Sequence, residues 1–174
     1  MVIASDSRLS EGYKVIARDI SKLAPLGPQV YLASSGMWAD FDALKKTLGI
    51  RLSMYEYDMG IRPSVETVAS LVSRTLYGRR FFPFYTFNIV AGLDSKGNGA
   101  VYGYDAIGSY ERGEYMVQGS GKEYLTPLLD AQIREYNVVA KSPPKTLAQV
   151  EELLIDGFIS ITERDIYTGK SHLF

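Results

Sequence analysis

The spacing of apolar residues switches between a period of two and a period of three to four along this chain, and the order of the switches restricts the fold. Strand-like runs come first, followed by two helix-like stretches, three strand-like runs and two further helix-like stretches. A doubly wound parallel sheet requires strands and helices in alternation, so this order disfavours one. Two helix pairs separated by groups of strands instead predict an α+β fold, with helices outside a packed β core.

Four amphipathic helices are predicted. The first ends before Gly60, and the second begins after Ser64, a candidate N-cap residue. The third follows a glycine-rich turn and must either hold Pro127 in its first turn or be kinked there. The fourth begins at Thr146, which forms a predicted capping box with Gln149.

Five strand-like runs are predicted from apolar, aromatic and β-branched residues. They cover residues 2–4, 30–33, 84–93, 100–104 and 110–117. The chain opens within the first of these runs and stops where a further strand is about to begin. Its length of 174 residues fits one domain. We therefore expect a single domain over residues 1–174 that is truncated at both ends, with its first and last strands missing.

Composition argues against several classes of function. Nineteen Lys and Arg face twenty Asp and Glu, so the net charge of −1 does not indicate a nucleic acid or a membrane as partner. The chain has no Cys, which excludes disulfides, thiolate metal sites and a Cys nucleophile. Its one histidine, His172, is too few for a two-histidine zinc site and makes a Ser–His–Asp triad a poor hypothesis. We predict no metal, no cofactor and no membrane span.

Two glycine-rich segments suggest ligand loops, and neither fits the pattern. Residues 119–122 read Gly-Ser-Gly-Lys, but a P-loop requires Gly where Met116 stands and Ser or Thr where Glu123 stands. Residues 94–99 suggest a calcium loop, but Lys96 occupies a position that needs a carboxylate. We predict a turn that enters a helix at the first segment and a hairpin turn at the second.

A basic pair, Arg79 and Arg80, precedes the aromatic run of residues 81–85. Basic residues beside aromatic ones can bind single-stranded nucleic acid. Two charges in a balanced chain are weak support for that function, and such a patch more often combines core and protein interface. The thirteen Tyr and seven Phe of the chain also favour a core and a protein interface, where large aromatic residues are common.

Several segments, taken together and in order, resemble the beta subunits of the proteasome core particle. The resemblance extends over essentially the whole chain. Each segment alone is a modest match, but their occurrence together in this order makes the resemblance specific. The segments are Asp6-Ser7-Arg8, Lys22 sixteen positions after Asp6, Gly92-Leu93-Asp94, Gly119-Ser120-Gly121 and Arg164-Asp165-Ile166-Tyr167-Thr168-Gly169.

The resemblance implies a fold and a set of partners. The fold is a four-layer αββα sandwich of the N-terminal-nucleophile hydrolase type. The partners are other beta subunits in a seven-membered ring, the opposing beta ring and alpha subunits, in the cytoplasm and nucleus. It implies neither nucleic acid nor membrane as a partner, and no cofactor. The function implied is support of ubiquitin- and ATP-dependent protein degradation.

Active members of the family use an N-terminal Thr, whose own amine can serve as the base, sixteen residues before the Asp that matches Asp6. Only five residues precede Asp6 here, and none is Thr. We therefore expect a non-catalytic subunit that retains vestigial family positions and no catalytic residue. Two alternatives stay open: an active threonine peptidase whose mature chain begins with Thr, and a separate binding domain that shares only the fold. The vestigial positions are Asp6, Lys22, Ser120, Asp165 and Thr168.

Overall fold

The computed structural model describes residues 1–137, 139–140 and 142–173, and the chain divides into two compact units. One unit combines residues 1–22 with residues 119–174, and the other is the continuous segment 23–118. The prediction of a single domain over the whole chain stays a prediction.

In chain order the elements are β1 (Ala4–Asp6), β2 (Leu9–Glu11), β3 (Lys14–Ala17), β4 (Leu23–Gly27), β5 (Val30–Gly36), α1 (Trp38–Met59), α2 (Val65–Tyr77), β6 (Thr86–Leu93), β7 (Gly99–Tyr104), β8 (Tyr110–Gly113), α3 (Lys122–Leu129), α4 (Leu147–Thr162) and β9 (Ser171–Leu173). All strand pairs among the described residues are antiparallel. Helices together with antiparallel strands confirm the α+β class.

The unit of residues 23–118 is built on a five-stranded sheet with the order β4-β5-β6-β7-β8. The longest pairing joins β5 to β6, from Val30 opposite Gly92 to Gly36 opposite Thr86. Alternate residues of β5 are buried, as expected for a strand with one face against a core. The turn of residues 94–99 connects β6 to β7, which confirms the predicted hairpin.

Helices α1 and α2 supply most of the core of this unit, together with β4 to β7. Their buried residues recur at helical spacing and belong to one continuous apolar cluster. The predicted ends are confirmed: the Ser64 hydroxyl accepts the N–H of Thr67, and Gly60 ends α1 in the left-handed conformation. The buried positions are Phe41, Leu44, Leu48, Leu52, Val65, Val68, Ala69, Val72 and Leu76.

A second apolar stripe lies on the other side of α1. Ile50, Met54 and Tyr57 are exposed and follow one another at intervals of four and three residues. This spacing places them on one face of the helix, away from the buried stripe. We call these three residues the outer stripe of α1.

The unit of residues 1–22 and 119–173 contains the pair β1-β9, the hairpin β2-β3 and helices α3 and α4. Thr146 and Gln149 form the predicted capping box at the start of α4. Pro127 is the sixth residue of α3, so placement in the first turn is wrong. The predicted alternative, a kink at Pro127, stays a prediction. The α-helix continues to Leu129 and is followed by a π-helical turn at Asp130–Arg134.

One strand prediction needs correction, and three strands were not predicted. The run at residues 110–117 is shorter, because β8 ends at Gly113. Two short strands, β2 and β3, were not predicted, and neither was β4, whose Pro25 argues against a strand. Pro25 is tolerated because β4 is an edge strand of its sheet. No helix in the described part of the chain is long and apolar enough to cross a membrane.

Candidate functional site

The side chain of Asp6, at the end of β1, binds three partners. Its Oδ1 accepts the Lys22 ammonium at 2.5 Å, and its Oδ2 accepts the backbone N–H groups of Arg8 at 3.0 Å and Gly169 at 3.1 Å. The side chains of Asp6 and Lys22 are only 12% and 21% exposed. This ion pair is therefore largely shielded from water, where breaking it costs more than on the surface.

Asp165 is buried beyond the end of α4 and is the centre of a second cluster. Its Oδ2 accepts the hydroxyls of Ser120 and Thr168, both at 2.6 Å, and its Oδ1 accepts the N–H of Tyr167 at 3.0 Å. The hydroxyl hydrogens of Ser120 and Thr168 are thus directed at a carboxylate. Ser120 lies in the glycine-rich turn before α3, and this turn brings its hydroxyl to Asp165. The segment is the predicted turn that enters a helix.

Arg8 and Gly169 connect the two clusters. The Arg8 guanidinium donates to the backbone oxygen of Ile166 at 2.6 Å. A Cβ on Gly169 would lie 2.8 Å from the Cβ of Arg8, so only glycine permits this crossing. The segment of residues 6–8 is therefore fixed directly against residues 165–170.

Ser7 is a part of this arrangement that the sequence did not reveal. It is fully buried, and its hydroxyl lies 2.6 Å from the oxygen of Arg18 and 3.2 Å from that of Lys170. Its backbone N–H also donates to Lys170, at 3.0 Å. A serine between two charged residues gives no sign of such burial, because its partners are distant along the chain.

The structure brings all five predicted positions into one unit of the chain. Asp6 and Lys22 form one pair, and Ser120, Asp165 and Thr168 form the other group. Their identification as vestigial positions stays a prediction. The described residues contain no group of three or more carboxylate or histidine side chains that could hold a metal. The side chain of His172 lies outside the described part.

The environment of Asp165 shifts its pKa. Burial raises it, but the hydrogen bonds from Ser120, Thr168 and the Tyr167 N–H, with the charge of Arg8, outweigh burial and hold the pKa of Asp165 below its usual value. A lowered pKa in the folded state adds stability at pH values above the unfolded pKa of about 3.9. That contribution is lost as the pH falls through the folded-state pKa.

We predict that Asp165→Asn weakens the pH dependence of unfolding in acid. The wild-type chain should lose more stability than the variant between pH 5 and pH 3, about the ordinary carboxyl range. Urea unfolding at a series of pH values measures this. Asp156→Asn, at an exposed position on α4, controls for the removal of one negative charge. Equal acid dependence in wild type and Asp165→Asn would contradict the prediction.

Comparison with known proteins gives a consistent result. A family model described as "Proteasome subunit" matches residues 1–172. The chain is 45% identical to "Proteasome subunit beta type-1" of Oryza sativa subsp. japonica over 173 residues, which covers 97% of this chain and 78% of the relative. It is 43% identical to the protein of that name from Danio rerio, with 98% and 72% covered.

A third relative with this name, from Drosophila melanogaster, is 43% identical over 175 residues, with 99% of this chain and 74% of the relative covered. These matches confirm the resemblance that the sequence segments indicated. The five positions of the two clusters lie within the matched range.

Proposed function

Since the chain belongs to the proteasome subunit family, we propose that this beta subunit is non-catalytic and serves the core particle as a structural element. The particle is a threonine-type protease complex, and its cleavage reactions are then carried out by neighbouring subunits. In this function the chain supports protein degradation by completing the wall of the beta ring.

The observation that carries the proposal is that the polar groups of the site bind one another. The Lys22 ammonium is engaged by Asp6, and the hydroxyls of Ser120 and Thr168 are engaged by Asp165. The nitrogen of Thr168 is a peptide amide, which lacks the basic lone pair that an N-terminal threonine uses on itself. These contacts tie distant segments of the chain together, which is a structural role.

The surface of α1 supports a role in an assembly. The outer stripe of Ile50, Met54 and Tyr57 is exposed in this chain, although α1 already buries its opposite face. An exposed apolar patch on a folded protein commonly marks a contact with another protein. Other proteasome subunits are the partners that family membership implies.

The proposal also includes the position of the chain in the particle and its location in the cell. We place the chain in a seven-membered ring that stacks on a second beta ring and on an alpha ring, in the cytoplasm and nucleus. The degradation that it supports is the ubiquitin- and ATP-dependent kind. Fractionation of cells that carry a tagged chain would contradict this location if the chain were absent from both compartments.

We predict that Lys22→Met in the assembled particle leaves every peptidase activity unchanged, because Lys22 holds Asp6 and activates no nucleophile. Particles purified from cells that express only the variant are assayed with substrates for each specificity. The positive control is the same substitution at the matching lysine of a subunit that begins with Thr, where one activity should disappear. Loss of one specificity in intact Lys22→Met particles would overturn the proposal.

Native mass spectrometry with N-terminal sequencing of this subunit completes the test. A large particle that contains the chain with a first residue other than Thr supports the structural role. A mature chain that begins with Thr would make the subunit an active peptidase. A lone monomer in cell extracts would exclude the assembly altogether.

A further inference from the structure

The segment between α2 and β6 presents aromatic side chains to solvent. Phe81 is 92% exposed and Phe82 is 78% exposed, and Tyr77 and Tyr85 on either side are also exposed. Two adjacent phenylalanines at this exposure leave large apolar surfaces in water that a core position or a protein interface would bury. We call residues 79–82 the arginine–phenylalanine loop.

Backbone hydrogen bonds and ring contacts hold this loop in one conformation. The N–H groups of Arg79, Arg80 and Phe82 donate to backbone oxygens three residues earlier, each at 3.0 Å. The Arg79 guanidinium lies 4.5 Å from the ring of Phe84, which is buried in the core. The phenylalanines are therefore presented by a preorganised turn, which lowers the entropic cost of binding.

Each exposed phenylalanine also carries a cation. The guanidinium of Arg80 lies 5.1 Å from the ring of Phe81, and that of Arg79 lies 5.8 Å from the ring of Phe82. Within the part of the chain that the structure describes, neither guanidinium forms an ion pair with a carboxylate. Arginine and aromatic residues are the side chains that most often dominate binding energy at protein interfaces.

We propose that the arginine–phenylalanine loop is a docking element that inserts Phe81 and Phe82 into an apolar pocket of a neighbouring proteasome subunit. Carboxylates at the rim of that pocket pair with Arg79 and Arg80, because the loop brings two positive charges without a negative partner of its own. This inference rests on the proposed function, since it requires the chain to enter a core particle.

A protein partner fits the loop better than single-stranded nucleic acid does. The chain has a net charge of −1, whereas binding to a phosphate backbone requires an extended positive surface. The guanidinium groups already lie against the phenylalanine rings and occupy faces on which bases would stack. A short apolar projection with two charges at its base suits a pocket with an acidic rim.

The test is competition for incorporation into the particle. Cells express a tagged wild-type chain beside either Phe81→Ser or Arg80→Glu, and native mass spectrometry of purified particles measures the ratio of the two forms. We expect at least a tenfold deficit of each variant. Tyr13→Ser, at a position 94% exposed on the β2-β3 hairpin, is the matched control and should be incorporated like wild type.

Unfolding in urea checks that Phe81→Ser and Arg80→Glu keep wild-type stability, as exposed positions should. A photoreactive residue, Phe81→p-benzoylphenylalanine, provides a second measurement in assembled particles. We expect it to crosslink to one neighbouring subunit, at a peptide that contains Asp or Glu beside apolar residues.

The outcomes separate this inference from the function on which it rests. If the wild-type chain does not enter a core particle, the proposed function fails. If it enters and the two variants enter equally well, or the crosslinked peptide lacks carboxylates, the docking inference is wrong. Binding of a labelled single-stranded oligonucleotide to the wild-type chain, abolished by Arg80→Glu, would assign the loop to nucleic acid and overturn it.

Discussion

Replacing Asp6 with alanine is expected to lower the free energy of unfolding by about 3–4 kcal/mol. The substitution removes an acceptor that serves the Lys22 ammonium and the backbone N–H groups of Arg8 and Gly169. It leaves a cation in a shielded environment without its partner, and it frees two N–H groups. The expected loss lies near the lower end of the range for buried pairs, because the two side chains retain some exposure.

Asp6→Asn separates the charge from the hydrogen bonds. The amide keeps an oxygen that can accept the two backbone N–H groups, but it cannot neutralise Lys22. We expect this variant to lose about half of the stability that Asp6→Ala loses. Urea unfolding followed by circular dichroism gives both values. If Asp6→Ala unfolded within about 0.5 kcal/mol of wild type, as surface substitutions do, the pair would not stabilise the fold.

Gly108→Ala is expected to destabilise the chain by about 4 kcal/mol or to prevent folding. Gly108 lies in the turn between β7 and β8 with φ at +98°, a conformation that alanine adopts only with strain. An added Cβ would also lie 2.4 Å from the backbone oxygen of Ser73 in α2. Backbone atoms in a packed helix cannot move aside as the end of a flexible side chain can.

Gly97→Ala is the matched control for this prediction. Gly97 lies in the turn between β6 and β7 with φ at +79°, but no atom lies within 4 Å of the position of an added Cβ. Its substitution should cost only the conformational strain, about 1–2 kcal/mol. The difference between the two alanine variants in urea unfolding measures the collision with Ser73. Equal losses of stability in the two variants would show that the close contact between Gly108 and Ser73 adds nothing to the cost of the substitution.

The helices could be predicted closely from the sequence because their signals are local. Ser64 and Thr146 accept the N–H groups three residues ahead, and Gly60 ends α1 within its own last turn. All the atoms that decide these ends lie within about one helical turn of each other. At these three helix ends the sequence pattern and the structure therefore agree to within a residue or two.

The short strands β2, β3 and β4 were harder to predict, because hydrogen bonds to a partner strand, and not their own residue pattern, make them strands. Hairpin β2-β3 buries little, so its residues show no clear alternation. β4 contains Pro25, a residue that disfavours a strand, and its position at a sheet edge makes the proline acceptable. A sheet edge is a property of the tertiary fold, and no window of sequence contains it.

The contacts of the candidate site were even harder to predict, because they join residues that lie far apart in the sequence. Asp6 and Gly169 are separated by 163 residues, and their hydrogen bond has no trace in local sequence. Lys22 and Asp165 were singled out because of the family resemblance, and by themselves they are ordinary charged residues. Ser7 was missed although it is fully buried, since the carbonyl groups that it binds belong to Arg18 and Lys170.

The pairing of β1 with β9 has a consequence for the time at which the chain can fold during synthesis. β1 is synthesised before residues 23–118, but its partner at residues 171–173 is made more than 160 residues after it. Residues 23–118 are continuous and have their own sheet and helices, so they can fold while the ribosome is still translating. Residues 4–6 must wait as an unpaired strand, which is open to wrong pairing with other chains. β1 is therefore synthesised before the sheet of residues 23–118 but can form its native pair only after that sheet is complete.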